Sequence, residues 1–333
     1  MDLVIISCAL GVVFGLLGLW WSSDKSVEHA LDLSSILGIT TFFVGFVFMA
    51  MATGFPELAV AIASLWKGVP GVAVGAIVGS NLIDVSLVLG LPAVMLGTLN
   101  VKTEEKLPLM LMLVIAALVM ALVFVIGVLS PWHGVILLLL YVASIWWLWR
   151  SRAVKVVPEE VAIEALSAEE VLTRKRFWKT RMKVIGKLLF SLSLVVAFSK
   201  LSVDCAVVIA HHFALSIQTI GVTVFAVGTS LPELALSFQA VRRKEYSLAF
   251  GNSFGSVLEQ ATLILGFLAI GAARPLDLRM LRPVAPLMFL SYAIVVHSLM
   301  KKTKVGCQEG LGRKEGLALL LLFVVHVLYF LFF

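Results

Sequence analysis

The chain has 333 residues, of which 61% are hydrophobic and 14% are charged, and its mean hydropathy is +1.06. Soluble domains have about 45–50% apolar and about 25% charged residues, so this composition excludes a soluble fold and indicates an integral membrane protein. The net charge of +6 would suggest nucleic acid as the partner of a soluble chain. In a membrane protein it is typical of basic cytoplasmic loops, so we expect the lipid bilayer and no nucleic acid.

Charge-poor stretches predict ten transmembrane helices and therefore an all-α membrane fold. A straight span needs about 20 residues, so the longer stretches must tilt or break. The predicted spans of the first half are 3–21, 33–65, 69–98, 107–128 and 133–149. Those of the second half are 184–201, 214–241, 246–271, 283–299 and 316–333.

Basic residues predict the orientation of these spans. If the N-terminus is outside, only five of the 26 lysines and arginines fall in outer loops, namely Lys67, Lys200, Arg274, Arg279 and Arg282. The positive-inside rule therefore predicts that both termini are outside. It makes residues 1–150 a first five-helix half, 151–182 a cytoplasmic linker and 183–333 a second five-helix half. A capping box at Ser167 predicts a short helix over 158–172 in the linker, and His211 with His212 should lie in an outer loop.

An internal repeat is the strongest feature of the sequence. Segment 52–58 (ATGFPEL) resembles 228–234 (GTSLPEL), and segment 75–84 (GAIVGSNLID) resembles 251–260 (GNSFGSVLEQ), both at an offset of 176 residues. Halves that begin five spans apart enter the membrane from opposite sides. The pattern therefore predicts two inverted-topology repeats, with a binding site near the midplane where they meet.

Acidic residues inside the predicted spans indicate what this site binds. A charged side chain at the bilayer centre costs about 2.5–3.5 kcal/mol on insertion scales, and the spans that carry the acids contain no lysine or arginine. Cations or protons are then the available partners, and carboxylates are hard ligands suited to Ca²⁺ and Na⁺. The acids are Glu57, Asp84, Glu233 and Glu259.

Oxygen ligands other than carboxylates surround these acids in the sequence. Pro56 and Pro232 each precede a glutamate, and a proline within a helix frees carbonyls of the preceding turn. Because Ca²⁺ takes about 6–8 oxygens, we expect such carbonyls and nearby hydroxyls to complete its shell. The carbonyls are those around Ala50, Thr53, Ala226 and Thr229, and the hydroxyls are those of Thr53, Thr229, Ser230, Ser80 and Ser256.

Paired glycines four residues apart predict close helix contacts. The pairs are Gly11 with Gly15, Gly75 with Gly79, and Gly251 with Gly255. The last pair also fits the Gly-x-Ser-x-Gly pattern of serine hydrolases, but that pattern needs a strand-to-helix turn and this one lies in a membrane span. We therefore predict a transporter without an enzymatic cofactor rather than an enzyme.

The repeated motifs resemble the alpha repeats of the cation/Ca²⁺ exchanger superfamily, and most of all those of the prokaryotic sodium/calcium exchangers. Residues 228–233 match Gly-Thr-Ser-x-Pro-Glu, and residues 79–84 match Gly-Ser-Asn-x-x-Asn/Asp. The resemblance implies that Glu57 and Glu233 are the central Ca²⁺ carboxylates and that Thr53 and Thr229 add backbone carbonyls. It also implies flanking Na⁺ sites, which are lined by Ala50, Ala226, Ser230, Ser80 and Ser256. Asp84 and Gln260 would occupy the polar positions at the midplane.

The sequence departs from that family pattern at several places, and one of them is Val257, which stands where the first repeat keeps Asn81. Gln260 stands where these exchangers have an acid, while Asp84 stands where they have an amide. Gly54 stands where the first repeat usually has a hydroxyl, which removes one Na⁺ ligand. Glu259 has Ile83 as its counterpart in the first repeat, and its role stays open between a relocated ligand, a proton carrier and an acid that faces a polar gap.

Together these features predict a secondary antiporter that exchanges Ca²⁺ for Na⁺ by alternating access in the plasma (inner) membrane of a prokaryote. The alternative is exchange of Ca²⁺ or another divalent cation for H⁺, and a cation channel is a further alternative. The resemblance also implies that spans one and six move during transport.

Overall fold

The computed structural model describes residues 2–66, 68, 70–151, 174–212, 226–301 and 310–332. They form a bundle of helices with four two-residue strands. The helices are α1 (Asp2–Leu37), α2 (Thr41–Trp66), α3 (Pro70–Leu96), α4 (Thr103–Ile126), α5 (Pro131–Arg150), α6 (Arg174–His212), α7 (Ala226–Thr229), α8 (Leu231–Arg242), α9 (Tyr246–Gly271), α10 (Ala285–Met300) and α11 (Arg313–Phe332). The strands are β1 (Leu99–Asn100), β2 (Val128–Leu129), β3 (Leu276–Asp277) and β4 (Gly310–Leu311).

Eight helices of the described part are long and apolar enough to cross a membrane: α1 to α6, α9 and α10. Helices α3 and α9 are buried along most of their length, and each carries one copy of the glycine-rich repeat. Large apolar side chains on the other helices face outward, as Leu118, Val125 and Trp132 do. A lipid environment explains this distribution, because a soluble protein rarely exposes so large an apolar surface.

The first two helices differ in length from the predicted spans. Helix α1 continues past its apolar part to Leu37, and α2 begins only at Thr41, not near residue 33. Charged residues did not end α1, because an ion pair of 2.7 Å joins Lys25 and Glu28 one helical turn apart. The predicted boundary between spans one and two was therefore wrong.

Helix α6 is also longer than the predicted span of 184–201. It runs to His212, so His211 and His212 end a helix, and the prediction of a loop there was wrong. The apolar stretch 203–210 carries one charge, which does not stop a helix. The predicted linker helix over 158–172 lies outside the described residues, and so does the part of the seventh span before Ala226.

Helices α1 and α6 lie side by side through glycines of α1. A Cβ atom added at Gly15 would lie 3.1 Å from the backbone oxygen of Phe198 and 3.1 Å from the backbone nitrogen of Ser202. A Cβ at Gly11 would lie 2.5 Å from the Cys205 sulfur. The predicted close contact at Gly11 and Gly15 is confirmed.

Helices α2 and α9 cross closely in the core. A Cβ at Gly251 would overlap the carbonyl oxygen of Phe42, and one at Gly255 would lie 2.7 Å from the Cβ of Ala50. The predicted contact at these glycines is confirmed. At Gly75 and Gly79, by contrast, a Cβ would have no atom of the described residues within 4 Å.

Short strands and glycine contacts join the two halves of the chain in matching pairs. Strand β1 pairs with β4 and β2 pairs with β3, both antiparallel. Gly90 approaches the carbonyl oxygen of Gly316, where an added Cβ would be 3.1 Å away. Gly266 approaches that of Gly134, at 2.9 Å. In these two strand pairs and two glycine contacts, each contact has a counterpart under exchange of the two halves.

Polar contacts outside the apolar core stabilise the helix ends and the connections between helices. Arg243 forms a bidentate ion pair with Asp24 at 2.9 and 2.7 Å, which ties the end of α8 to α1. In the connection after α9, hydrogen bonds from the Arg279 guanidinium and backbone lower the pKa of Asp277 to about 2. Arg282 donates to the carbonyl of Phe124 at 2.9 Å and thereby caps the end of α4.

Candidate cation-binding site

Both proline motifs interrupt a helix. The helical segment that ends at Thr53 is followed by Gly54 and a new segment from Phe55. In the second half, α7 ends at Thr229 and α8 begins after Ser230. Since a helix leaves its last carbonyls without intrahelical donors, each break exposes carbonyl oxygens next to a glutamate.

Backbone hydrogen bonds show where each helix resumes. The first bond after the breaks runs from Leu58 N–H to the Gly54 carbonyl in α2 and from Leu234 N–H to the Ser230 carbonyl in α8, both at 3.0 Å. Within the described part of the chain, the Thr53 carbonyl therefore lacks the i+4 amide donor of a continuous helix. Thr53 is one of the four residues whose carbonyls the sequence predicts as ligands.

The glutamates after the breaks are buried and unpaired. Glu57 is 2% exposed and Glu233 is 0% exposed. None of their four carboxylate oxygens has a hydrogen-bond partner among the described residues. A buried carboxylate without a partner is strongly unfavourable, so a bound cation or a proton must neutralise each of them.

A chain of hydrogen bonds links α10, α3 and α9 in the core. The Tyr292 hydroxyl donates to Asn81 Oδ1 at 2.7 Å, and Asn81 Nδ2 donates to Gln260 Oε1 at 2.9 Å. Gln260 Nε2 in turn donates to Asp84 Oδ2 at 2.9 Å. Asp84 and Gln260, the two predicted midplane residues, thus contact each other directly, and Asp84 Oδ1 has no hydrogen-bond partner among the described residues.

Replacing Tyr292 with phenylalanine should destabilise the protein without removing a charge. The change leaves the buried Asn81 Oδ1 without a donor, and an unsatisfied buried acceptor costs about 1–3 kcal/mol. We expect a lower melting temperature for Tyr292→Phe in thermal unfolding of the detergent-purified protein. Ser193→Ala is the control, because that exposed hydroxyl only bonds within its own helix. Equal melting temperatures for the two variants would contradict the network.

Serine and threonine hydroxyls fill the space between the two halves. Ser80 on α3 and Thr229 on α7 have their hydroxyl oxygens 3.2 Å apart. The Ser230 side chain lies beside the Asp84 carboxylate, and the Thr53 side chain lies beside that of Glu233. Hydroxyls predicted from one repeat thus face acids of the other.

The remaining predicted residues differ in what they offer. Ser256 is 1% exposed, and its hydroxyl has no hydrogen-bond partner among the described residues, so it is available to a ligand. The Ala50 carbonyl already accepts hydrogen bonds from Gly54 N–H at 2.8 Å and the Thr53 hydroxyl at 3.1 Å. Ala226 is the first described residue of α7.

Two polar residues of α9 contact the site although the sequence did not predict them as site residues. Asn252 Nδ2 donates to the Glu233 carbonyl at 3.3 Å and to the Ser237 hydroxyl at 3.1 Å, and the Ser253 hydroxyl donates to the Asp84 carbonyl. Both lie in the serine-hydrolase-like pattern. Their place in a membrane helix, where they are 0% exposed, is the signal that a polar contact was needed.

Glu259 extends from α9 toward the break in α2. It is 4% exposed, and its Oε2 atom has no hydrogen-bond partner among the described residues. A Cβ atom at Gly54 would lie 2.8 Å from Glu259 Oε1 and 3.1 Å from Oε2. A side chain at position 54 and the Glu259 carboxylate therefore compete for the same space.

The acids are spread through the site. In the described residues, no three histidine, cysteine, aspartate or glutamate side chains are grouped closely enough to hold one metal ion. In this conformation a bound cation would take at most two carboxylates, and carbonyl and hydroxyl oxygens would supply the other ligands. The Thr53 carbonyl and the hydroxyls of Ser80, Thr229 and Ser256 are oxygens of that kind.

Comparison with known proteins identifies the family. The chain matches the sodium/calcium exchanger protein family over residues 7–150 and 183–332. It is 30% identical over 320 residues to a putative antiporter, CaxA, of Alkalimonas amylolytica, covering 94% of this chain and 95% of that protein. It is 32% identical over 270 residues to the inner membrane protein YrbG of Escherichia coli, covering 80% of each.

A solved structure shares the fold. The sodium-calcium exchanger NCX_Mj matches with a TM-score of 0.76 and 25% identity, over 97% of this chain and 99% of that one. Broken helices with buried acids in a membrane bundle are typical of secondary transporters. The chain belongs to the sodium/calcium exchanger family, and it is an integral, multi-pass membrane protein of the prokaryotic exchanger type.

Proposed function

We propose that the protein is a secondary antiporter that exchanges Ca²⁺ for Na⁺ by alternating access. The observation that carries this proposal is the pair of broken helices, each followed by a buried glutamate whose carboxylate oxygens have no hydrogen-bond partner among the described residues. Such half-helices at the repeat interface are how secondary transporters bind coupling ions. The relatives named as an antiporter and as a sodium-calcium exchanger support the same activity.

Individual roles follow from the positions of the ligands. Glu57 and Glu233 bind Ca²⁺, with the carbonyls of Thr53 and Thr229. The flanking hydroxyls bind Na⁺, and Asp84 with Gln260 joins the two regions. Ca²⁺ and Na⁺ compete for shared carboxylates, and neutralisation of these charges by either ion permits the change of access, which the empty, charged site resists. The flanking hydroxyls are those of Ser80, Ser230 and Ser256, and Ala226 contributes its backbone carbonyl, whereas the carbonyl of Ala50 is already engaged by Gly54 N–H and the Thr53 hydroxyl.

The proposed topology is ten spans in two inverted five-helix repeats, 1–150 and 183–333, with both termini outside. The family match leaves 151–182 uncovered, which supports a linker there. Strand pairs β1–β4 and β2–β3 exchange under a two-fold relation between the halves, as inverted repeats require. The Asp24–Arg243 pair also joins the end of α8 to a part of α1 that is assigned to the same inner side.

Uptake of ⁴⁵Ca²⁺ into proteoliposomes of the purified protein tests the proposal. An outward Na⁺ gradient and a matched pH gradient are applied in parallel, with protein-free liposomes as the control. Uptake driven by Na⁺ is the expected result. Uptake driven only by the pH gradient would instead make it a Ca²⁺/H⁺ antiporter, and competition by Mn²⁺ or Mg²⁺ measures selectivity among divalent ions.

Trans-stimulation separates an antiporter from a channel. An antiporter releases Ca²⁺ faster when the opposite side contains a counter-ion, because the loaded carrier returns more readily than the empty one. We expect efflux to depend on external Na⁺ or Ca²⁺. Efflux that is indifferent to the external cations would exclude exchange. The proposed location in a prokaryotic inner membrane is supported by the similarity to YrbG, which is described as an inner membrane protein.

A further inference from the structure

Glu259 occupies a place in the core that the repeat relation leaves unexplained. Its counterpart in the first repeat is Ile83, at the offset of 176 residues that relates the two halves. The same offset relates Gly54 to Ser230. Two equivalent contacts therefore join the repeats. In one, Ser230 lies beside the segment of Ile83 and Asp84; in the other, Gly54 lies beside the segment of Glu259 and Gln260.

The two contacts differ in the size and the charge of their side chains. In one pair, position 230 is a serine and position 83 is apolar. In the other pair, position 54 has no side chain and position 259 is an acid. The carboxyl group of Glu259 lies where the side chain of residue 54 would be, since a Cβ there would be 3.0 Å from Glu259 Cδ. A serine at position 54 would collide with it.

We propose that Glu259 is a direct Na⁺ ligand and that Gly54 leaves the room for its carboxylate, which together form a monovalent-cation subsite at the break in α2. This rests on the proposed exchange of Ca²⁺ for Na⁺. The carboxylate replaces the hydroxyl that the first repeat lacks, so the subsite keeps an oxygen ligand and gains a negative charge.

Three observations support a ligand at this place. Glu259 is 4% exposed, with an Oε2 atom that has no partner among the described residues. The helix break at Gly54 leaves carbonyls beside it without amide donors. A π-helical turn, Gln260–Ile264, begins directly after Glu259, and such turns inside α-helices are frequent at functional sites.

The surroundings favour a singly charged ion. Glu57 and Asp84 are within electrostatic range of Glu259, but no three acids of the described part are grouped around one point. Ca²⁺ needs about 6–8 oxygens, usually with several carboxylates. One carboxylate with unwound backbone carbonyls suits Na⁺ better, as in transporters with broken helices.

The test compares variants of the full chain in proteoliposomes, with Na⁺-driven ⁴⁵Ca²⁺ uptake measured at several Na⁺ and Ca²⁺ concentrations. For Glu259→Gln we expect half-saturation by Na⁺ to rise about tenfold, as for the loss of one charged contact, and the Hill coefficient for Na⁺ to fall. Half-saturation by Ca²⁺ should stay within about threefold of wild type. Gly54→Ala should act in the same direction, because its methyl group displaces the carboxylate.

Two further variants test this difference in side-chain size and charge between the two contacts. Glu259→Ile should show the defect of Glu259→Gln, whereas Glu259→Ile with Gly54→Ser rebuilds the arrangement of Ser230 and Ile83 and should regain Na⁺ dependence. Glu105→Gln is the matched control, since Glu105 is a buried acid that accepts a hydrogen bond from Ser247 outside this site. Its uptake should equal that of wild type, and thermal unfolding of each variant separates loss of function from loss of fold.

Each other outcome overturns the inference in its own way. Wild-type Na⁺ dependence in Glu259→Gln and Gly54→Ala would show that Glu259 binds no Na⁺. An equal loss of Ca²⁺ and Na⁺ affinity would make it a ligand of Ca²⁺. A double variant no better than Glu259→Ile would refute the role of Gly54. If wild type itself shows no Na⁺-driven uptake, the proposed Na⁺ coupling is wrong. This outcome is visible without the variants, so it is distinct from a failure of the Glu259 inference.

Discussion

Replacing either Glu57 or Glu233 with glutamine should reduce Na⁺-driven Ca²⁺ uptake about 100-fold or more. Each substitution removes a full negative charge and one carboxylate oxygen. None of these oxygens has a hydrogen-bond partner among the described residues. A 100-fold loss corresponds to about 2.7 kcal/mol, which is within the range for the loss of one buried charged contact. Uptake by proteoliposomes of each purified variant measures the effect.

The size of the loss should be similar for the two glutamates, because they occupy equivalent places in the two repeats. Glu105→Gln again serves as the control for removal of a buried carboxylate elsewhere. Glutamine removes a buried charge, so neither variant should be less stable than wild type in thermal unfolding. Full Ca²⁺ uptake by either variant would refute the proposed site.

Replacing Gly251 with valine should prevent stable folding. Its added side chain would meet the backbone of α2 at Phe42 and Phe46, and backbone atoms cannot move aside as a flexible side chain can. Overpacking of a core costs about 1–3 kcal/mol and occasionally more, and here it separates the two helices that hold Glu57 and Gln260. We expect little monodisperse protein in size-exclusion chromatography, and a lower melting temperature for what remains.

Gly186→Val is the matched control for this substitution. Gly186 lies in α6, is exposed, and has no atom of the described residues within 4 Å of an added Cβ. Both variants place the same β-branched residue in a helix, so helix propensity cancels between them. Normal yield and melting temperature for Gly251→Val would mean that α2 and α9 do not cross as closely as described.

Much of the architecture follows from hydropathy and repetition. Several predicted spans agree with helices to within a few residues, because the bilayer itself imposes the apolar length. They are the spans predicted over 69–98, 107–128, 133–149, 246–271 and 283–299. Ends of helices are predicted poorly where charged residues pair within a helix, as Lys25 and Glu28 do in α1. Charge alone then marks neither the end of a helix nor the start of a loop.

The sequence predicts which residues form the candidate site but not how they contact one another. Constant spacing between the two repeats is enough to single out Glu57, Asp84 and Glu233. The contact of Tyr292 with Asn81 could not be foreseen, because it joins helices whose relative rotation leaves no trace in one sequence. The same is true of Asn252 and its bond to the Glu233 carbonyl.

Sequence by itself determined that this protein is a membrane protein with two related halves, and that its buried acids need cations or protons as partners. Apolar length, repetition and the lack of basic residues in the spans that carry the acids are one-dimensional properties. Only the tertiary structure decided which oxygens are free. It showed that the Ala50 carbonyl is already engaged and that Glu259 lies against Gly54. Those facts depend on how helices from opposite ends of the chain cross, and side-chain volume at the crossing sets that distance.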